Sequence, residues 1–177
     1  MNVCVFCGSG VGNKTIYADA AREMGFLLAH QGYTLIYGGG NIGLMGILAD
    51  AVLEKKGRVI GIIPDFLMQK EVGHTGLTQL EVVASMHERK RRMADLADAF
   101  LVLPGGWGTL DETAEILTWK QLGLIHQPIA LLNLDGFFNA LLNQMDNMVA
   151  SGFLRHDNMQ FVRVAETPRA VMPLLIP

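Results

Sequence analysis

Short runs of β-branched and apolar residues alternate along this chain with longer stretches in which apolar positions recur every three or four residues. The short runs predict strands over Asn2–Cys7, Thr34–Tyr37, Arg58–Ile62, Glu81–Ala84, Phe100–Leu103, Ile129–Asn133 and Gln160–Val164. The longer stretches predict helices near 14–31, 43–55, 86–97, 109–122, 136–150 and 167–173. Such alternation describes βαβ units that build an α/β fold, a doubly wound, mostly parallel sheet with helices on both faces. Its crossovers are expected to be right-handed. No repeat, low-complexity stretch or linker interrupts the pattern, so residues 1–177 read as a single domain.

In open sheets of this kind the ligand sits at the carboxyl ends of the strands. Three predicted strand ends carry glycine clusters: CGSGVG at Cys7–Gly12, GGGNIG at Gly38–Gly43 and PGGWGT at Pro104–Thr109. Each precedes a helix, where turned backbone N–H groups and the helix dipole favour an anion. Glycine also simply makes tight βα turns, an equal account of any one loop. Three on one rim favour a phosphorylated ligand.

Gly38, Gly40 and Gly43 also fit the GxGxxG dinucleotide fingerprint, and Asp65 follows roughly twenty residues on, near where a ribose-binding acid is expected. The fingerprint follows the second predicted strand rather than the first, and Asp65 comes after Pro64. A nicotinamide dehydrogenase is therefore the weaker reading. No GK[ST] follows any glycine loop, which excludes a P-loop.

Composition narrows the classes further. Half of the residues are hydrophobic and 18% are charged, which excludes extended disorder. No apolar run approaches the roughly 18 residues of a membrane span, and MNVCVFCGSG lacks a basic leader, so a cytoplasmic protein is expected. The net charge of −3 speaks against a nucleic-acid partner for the basic run Lys90–Arg92. Cys4 and Cys7, three apart in a strand, face opposite sides and read as buried thiols. The five histidines are scattered; no metal or cofactor is expected.

Two segments carry candidate chemistry. In Met86–Phe100, Met86, Met93, Leu96, Ala97 and Phe100 share one helical face with Arg89 near its middle, while Lys90 lies on the flank. A guanidinium among inward apolar residues needs a carboxylate or an anionic ligand, and a site role is favoured over a structural salt bridge. In Pro104–Glu112, Thr109 and Glu112 have capping-box spacing. The helical wheel places Leu110, Ala114 and Leu117 on the core face, with Glu112, Glu115 and Trp119 opposite, along the face that begins at the glycine loop. On spacing alone, cap and site carboxylate are equally good readings of Glu112.

PGGWGTLDE resembles the PGGxGTxxE motif of the LOG (Lonely Guy) family, and SMHERKRRM resembles that family's MHxRKxxM segment. The likeness extends through CGSG, YADAAREMG, YGGGNIGLMG, RVIGIIP and LTWKQLGLIHQPIALLNLDGFFNALL, nearly the whole chain. One departure is Ser9–Gly10, where many relatives have two serines. Some relatives carry a lysine decarboxylase label, but no lysine here has a recognisable pyridoxal-phosphate setting.

The resemblance implies a Rossmann-like fold. It also implies a phosphoribohydrolase that releases adenine or an N6-substituted adenine from its riboside 5′-monophosphate, leaving ribose 5-phosphate. By motif position it makes Arg89 and Glu112 the catalytic pair and rests the 5′-phosphate on Gly105, Gly106, Gly108 and Thr109. Ser9, Gly38, Gly39, Gly40, Gly43, Met45, Met86 and Lys90 complete the expected substrate-binding set, with Glu115 in support. It further implies a homodimer, which would suit an exposed Trp119 and the apolar carboxyl-terminal tail. The alternative on the same scaffold is a molybdenum-cofactor carrier that binds without hydrolysis.

Overall fold

The computed structural model describes residues 1–68 and 73–176. Seven strands form one parallel sheet: β1 (Asn2–Phe6), β2 (Thr34–Tyr37), β3 (Arg58–Pro64), β4 (Gln79–Val83), β5 (Ala99–Val102), β6 (Ile129–Leu132) and β7 (Val162–Ala165). The spatial order is β4-β3-β2-β1-β5-β6-β7, and every neighbouring pair is parallel. The chain winds outward one way from β1 and then the other way from β5. The switch point between them is where a doubly wound sheet opens a crevice.

The helices are α1 (Thr15–His30), α2 (Gly43–Glu54), α3 (Asp65–Met68), α4 (Met86–Leu96), α5 (Trp107–Gln121), α6 (Asn139–Ala150) and α7 (Pro168–Val171). Strand alternation sorts the core into two layers. Val3, Val5, Cys7, Leu35 and Leu101 face α1 and α2. Cys4, Phe6, Ile36, Ile62 and Phe100 face Met93 of α4 and Ile116 of α5. Cys4 and Cys7 accordingly lie on opposite faces, both buried and unbridged, as their spacing predicts.

All seven predicted strands and six helices are present, with shifted ends. β4 begins two residues early because Gln79 pairs with Ile60 and Pro64 with Val83. Helix α6 starts late because 3₁₀ residues Leu134–Gly136, with Asp135 at φ 50°, make the turn first. The final helix breaks into α7 and a 3₁₀ segment, Met172–Leu175, where Pro173 brings no N–H donor. Within that tail Leu175 is buried, Ile176 is exposed, and Arg163 donates to the Leu174 and Ile176 carbonyls. Among the described residues no helix is long and apolar enough to cross a membrane.

Burial, reinforced by the negative charge of Glu112, pushes both thiols well above their ordinary range. Neither cysteine is therefore expected to react with a colorimetric disulfide reagent in the native protein at neutral pH, and both should titrate after denaturation. A native thiol that reacts within seconds would contradict this packing.

Candidate functional site

The three glycine turns meet at the switch point and are tied to each other through main-chain bonds. The Gly8 N–H donates to the Pro104 carbonyl at 3.1 Å, joining the first turn to the third. The Leu44 N–H, in the opening turn of α2, donates to the Gly8 carbonyl at 3.0 Å, joining the second to the first. Gly43 has φ +64°, and a Cβ there would collide with the Ser9 carbonyl. A Cβ at Gly105 would collide with the Thr109 side chain and crowd the Gly8 nitrogen. These glycines are required by the close approach of the loops themselves.

Helix α4 begins at a well-made cap. The Ser85 Oγ accepts the Glu88 N–H at 3.1 Å, and the Glu88 carboxylate accepts the Ala84 N–H at 2.9 Å. That start directs Arg89 inward, where it is only 4% exposed. Its Nε donates to the Ile62 carbonyl at 3.1 Å and its Nη2 to the Gly38 carbonyl at 2.9 Å. Met86 Sδ lies 3.8 Å from Nη1. A Cβ on Gly38 would run into the guanidinium, so the first glycine of the apparent dinucleotide fingerprint makes room for an arginine. The neighbouring Gly39 is fixed differently: its carbonyl accepts the N–H of His74, whose Nε2 lies 2.9 Å from Asp50 Oδ1. Gly40 offers its carbonyl to the Tyr37 hydroxyl.

Helix α5 does not start where the capping-box spacing puts it. Its N-cap is Gly106 and its first residue Trp107, with no side-chain cap. Thr109 is thus already inside the helix, and Thr109–Glu112 is not a capping box. The wheel reading of α5 is also reversed at most positions, with Leu117 partly buried against the core as expected. Thr109, Glu112, Thr113 and Ile116 face inward, while Leu110 and Ala114 are exposed. Trp119 is half-buried against the core layer of Ile116 and Phe100, not exposed. Sheet contacts decide the buried face, and here they bury an acid and two threonines.

A cavity of about 120 Å³ opens between the three turns. Arg89 and Glu112 both line it, with Ser9, Gly38, Met45, Gly106, Gly108 and Thr109. Glu112 is 8% exposed. The first N–H groups of α5 have no intrahelical acceptor, so this end of the helix has the polarity that suits an anion. Gly105 lies just outside, lining an adjacent recess with Gly8, Ser9 and Gly106. Gly39, Gly40, Gly43 and Met86 support the walls rather than line the cavity. Lys90 and Glu115 turn to each other, with Nζ 3.2 Å from Glu115 Oε2 and 3.1 Å from Asp111 Oδ2, and neither lines the cavity.

Sequence reasoning passed over Trp107, which is 86% exposed and lines the mouth of this cavity. Its signal was an aromatic side chain between two loop glycines. His74 and Asp50 were also missed, because their pairing across 24 positions leaves no local pattern. Among the described residues no cluster of three or more His, Cys, Asp or Glu is placed to hold a metal.

Gly38→Ala should lower stability by about 1–3 kcal/mol through overpacking against Arg89. The measurement is urea unfolding, with a lower midpoint at unchanged slope. An unchanged midpoint would mean that the guanidinium moves aside at no cost.

A family model described as "Possible lysine decarboxylase" matches residues 45–175. Cytokinin riboside 5′-monophosphate phosphoribohydrolase LOG of Oryza sativa subsp. japonica is 46% identical over 170 residues, covering 96% of this chain and 70% of the relative. Cytokinin riboside 5′-monophosphate phosphoribohydrolase LOG1 of Arabidopsis thaliana is 48% identical over 152 residues, covering 86% of this chain and 71% of the relative. Among solved structures, TM1055 superposes with a TM-score of 0.74 at 27% identity, covering 98% of this chain and 96% of that one. The Moco carrier protein of Chlamydomonas rheinhardtii has a TM-score of 0.72 at 21% identity, covering 98% of this chain and 96% of that one. At that identity the last likeness concerns the fold alone.

Proposed function

We propose that this chain, which belongs to the LOG (Lonely Guy) family, hydrolyses the N-glycosidic bond of adenosine 5′-monophosphate or an N6-substituted riboside 5′-monophosphate. The products are free base and ribose 5-phosphate. The observation that carries this reading is the convergence of a buried arginine and a buried glutamate on one cavity at a glycine-lined helix terminus. The relatives named as phosphoribohydrolases of cytokinin riboside 5′-monophosphates support it.

In this reading the 5′-phosphate rests against the amino terminus of α5, on Gly106, Gly108 and Thr109, with Gly105 and Ser9 beside it. Anchoring that end converts binding energy into orientation of C1′. As the C1′–N9 bond breaks, positive charge grows on the ribose, as in other glycosidic cleavages. The Glu112 carboxylate stabilises that charge and orients the attacking water. Arg89, fixed by the Gly38 and Ile62 carbonyls, supplies a permanent positive charge that favours the ionised carboxylate. Water delivers hydroxyl to C1′ and a proton to the departing base. Met45 and Gly38 wall the pocket. No cofactor takes part in this scheme, residues 1–177 act as one Rossmann-like domain, and the protein works in the cytoplasm.

The test is incubation of the purified protein with AMP, N6-isopentenyl AMP and the corresponding nucleosides, with free base and ribose 5-phosphate measured. Release is expected from the monophosphates and little from the nucleosides. Glu112→Gln should reduce release by about 10³-fold or more, roughly 4 kcal/mol in the barrier, with the fold retained. Tight nucleotide binding with no release would favour a carrier.

A homodimer is part of the same reading. The reversed wheel of α5 leaves Leu110 and Ala114 on an apolar groove with Leu141, Met148, Leu154 and Phe161, on the outer side of the helix that carries Glu112. Phe153, next in sequence to the groove residue Leu154, is 87% exposed. A patch of this kind suits a second copy of the chain. Light scattering should give twice the monomer mass, and Leu110→Glu should halve it; a monomeric parent protein would remove the dimer from the scheme.

A further inference from the structure

Arg89 and Glu112 sit on different helices, so their alignment depends on how α4 and α5 are held together. The residues next to them in sequence make that connection. Lys90 follows Arg89 on α4, and Asp111 precedes Glu112 on α5. The Lys90 ammonium lies between two carboxylates of α5, 3.1 Å from Asp111 Oδ2 and 3.2 Å from Glu115 Oε2. Asp111 and Glu115 are one helical turn apart, so a single cation spans a turn of α5.

The Lys90 side chain is 11% exposed, whereas Asp111 is 58% exposed and Glu115 is 25% exposed. Removing an ammonium from water is costly unless charged partners replace the lost solvation. Burial acts to lower the Lys90 pKa, but the bonds to Asp111 and Glu115 outweigh it and the net shift is upward. The ammonium is therefore charged and committed to α5. With two carboxylates on one ammonium, the cluster has a net negative charge, which repels rather than recruits a phosphate. Met93 and Ala94 of α4 and Ile116 of α5 belong to the same apolar layer, and the Lys90 ion pairs are the polar link between the two helices.

We propose that Lys90 is a positioning residue whose ion pairs with Asp111 and Glu115 brace α4 against α5 and hold Arg89 and Glu112 in register across the cavity. This rests on the hydrolase reading above. It departs from a direct substrate role for Lys90, and the two roles predict opposite effects when the carboxylates are removed.

The experiment compares Lys90→Met, Lys90→Arg and the double variant Asp111→Asn/Glu115→Gln with the parent protein, measuring kcat and KM on N6-isopentenyl AMP and confirming the fold by circular dichroism. The brace predicts that Lys90→Met and the carboxylate double variant each lower kcat by about tenfold or more with KM moved less than about threefold, and that Lys90→Arg recovers most of the loss. Should Lys90→Met fail to fold, the double variant carries the same test. A phosphate-binding lysine predicts instead a large rise in KM for Lys90→Met, and a fall in KM when Asp111 and Glu115 lose their charge. Either KM result, or unchanged kinetics in both variants, overturns the brace. A parent protein that releases no base overturns the hydrolase reading first, so the two failures are separable.

Discussion

A guanidinium cannot shed its charge, and the interior of an α/β sheet offers little to solvate one. The burial of Arg89 is consequently the constraint around which this molecule is arranged. The Ile62 carbonyl within β3 and the Gly38 carbonyl just past the end of β2 both point at it, which requires those strands to be neighbours in the sheet. Gly38 must lack a side chain so that the guanidinium can lie against the main chain. The Ser85–Glu88 cap begins α4 at the residue that directs Arg89 inward. Strand order, one glycine and one cap thus serve a single side chain.

The remaining architecture brings an anion-binding surface to that charge. Three turns converge because β1 lies between β2 and β5, at the point where the winding direction reverses. Main-chain bonds from Gly8 to Pro104 and from Leu44 to Gly8 fix their spacing more closely than side chains could. The α5 terminus therefore meets the arginine at a set distance, with Glu112 one turn inside. In the proposed reading, the anchored end of a nucleotide and the acid acting on its sugar are then held by the same helix.

Part of the site was open to reading from local pattern and part was not. The capping-box spacing of Thr109 and Glu112 has the correct composition, but the chain enters α5 at Gly106, and the cap motif is realised instead at Ser85 and Glu88. The wheel on α5 assumed that leucines face the core. The sheet buries Glu112, Thr113 and Ile116, and leaves Leu110 on an exposed apolar groove. Lys90 and Glu115, each a reasonable ligand contact by position, pair with each other across two helices and lie off the cavity lining. Each outcome turned on which partner lay opposite, and helical periodicity is silent on that.

Periodicity and turn chemistry did determine the element order, the parallel α/β architecture, the three glycine turns and the opposed burial of Cys4 and Cys7. All are consequences of residue spacing along one strand or helix, where the 3.6- and 2-residue repeats act directly. Arg89 was legible for the same reason, as a charge in the middle of an apolar helical face, whereas spacing left Glu112 ambiguous and only the motif resemblance singled it out. Tertiary structure alone decided that they share a cavity, that Gly38 yields space to a guanidinium, that Trp107 stands at the mouth and that His74 reaches Asp50. Those facts depend on strand order and helix packing, which join residues far apart in the chain through contacts that no local repeat encodes.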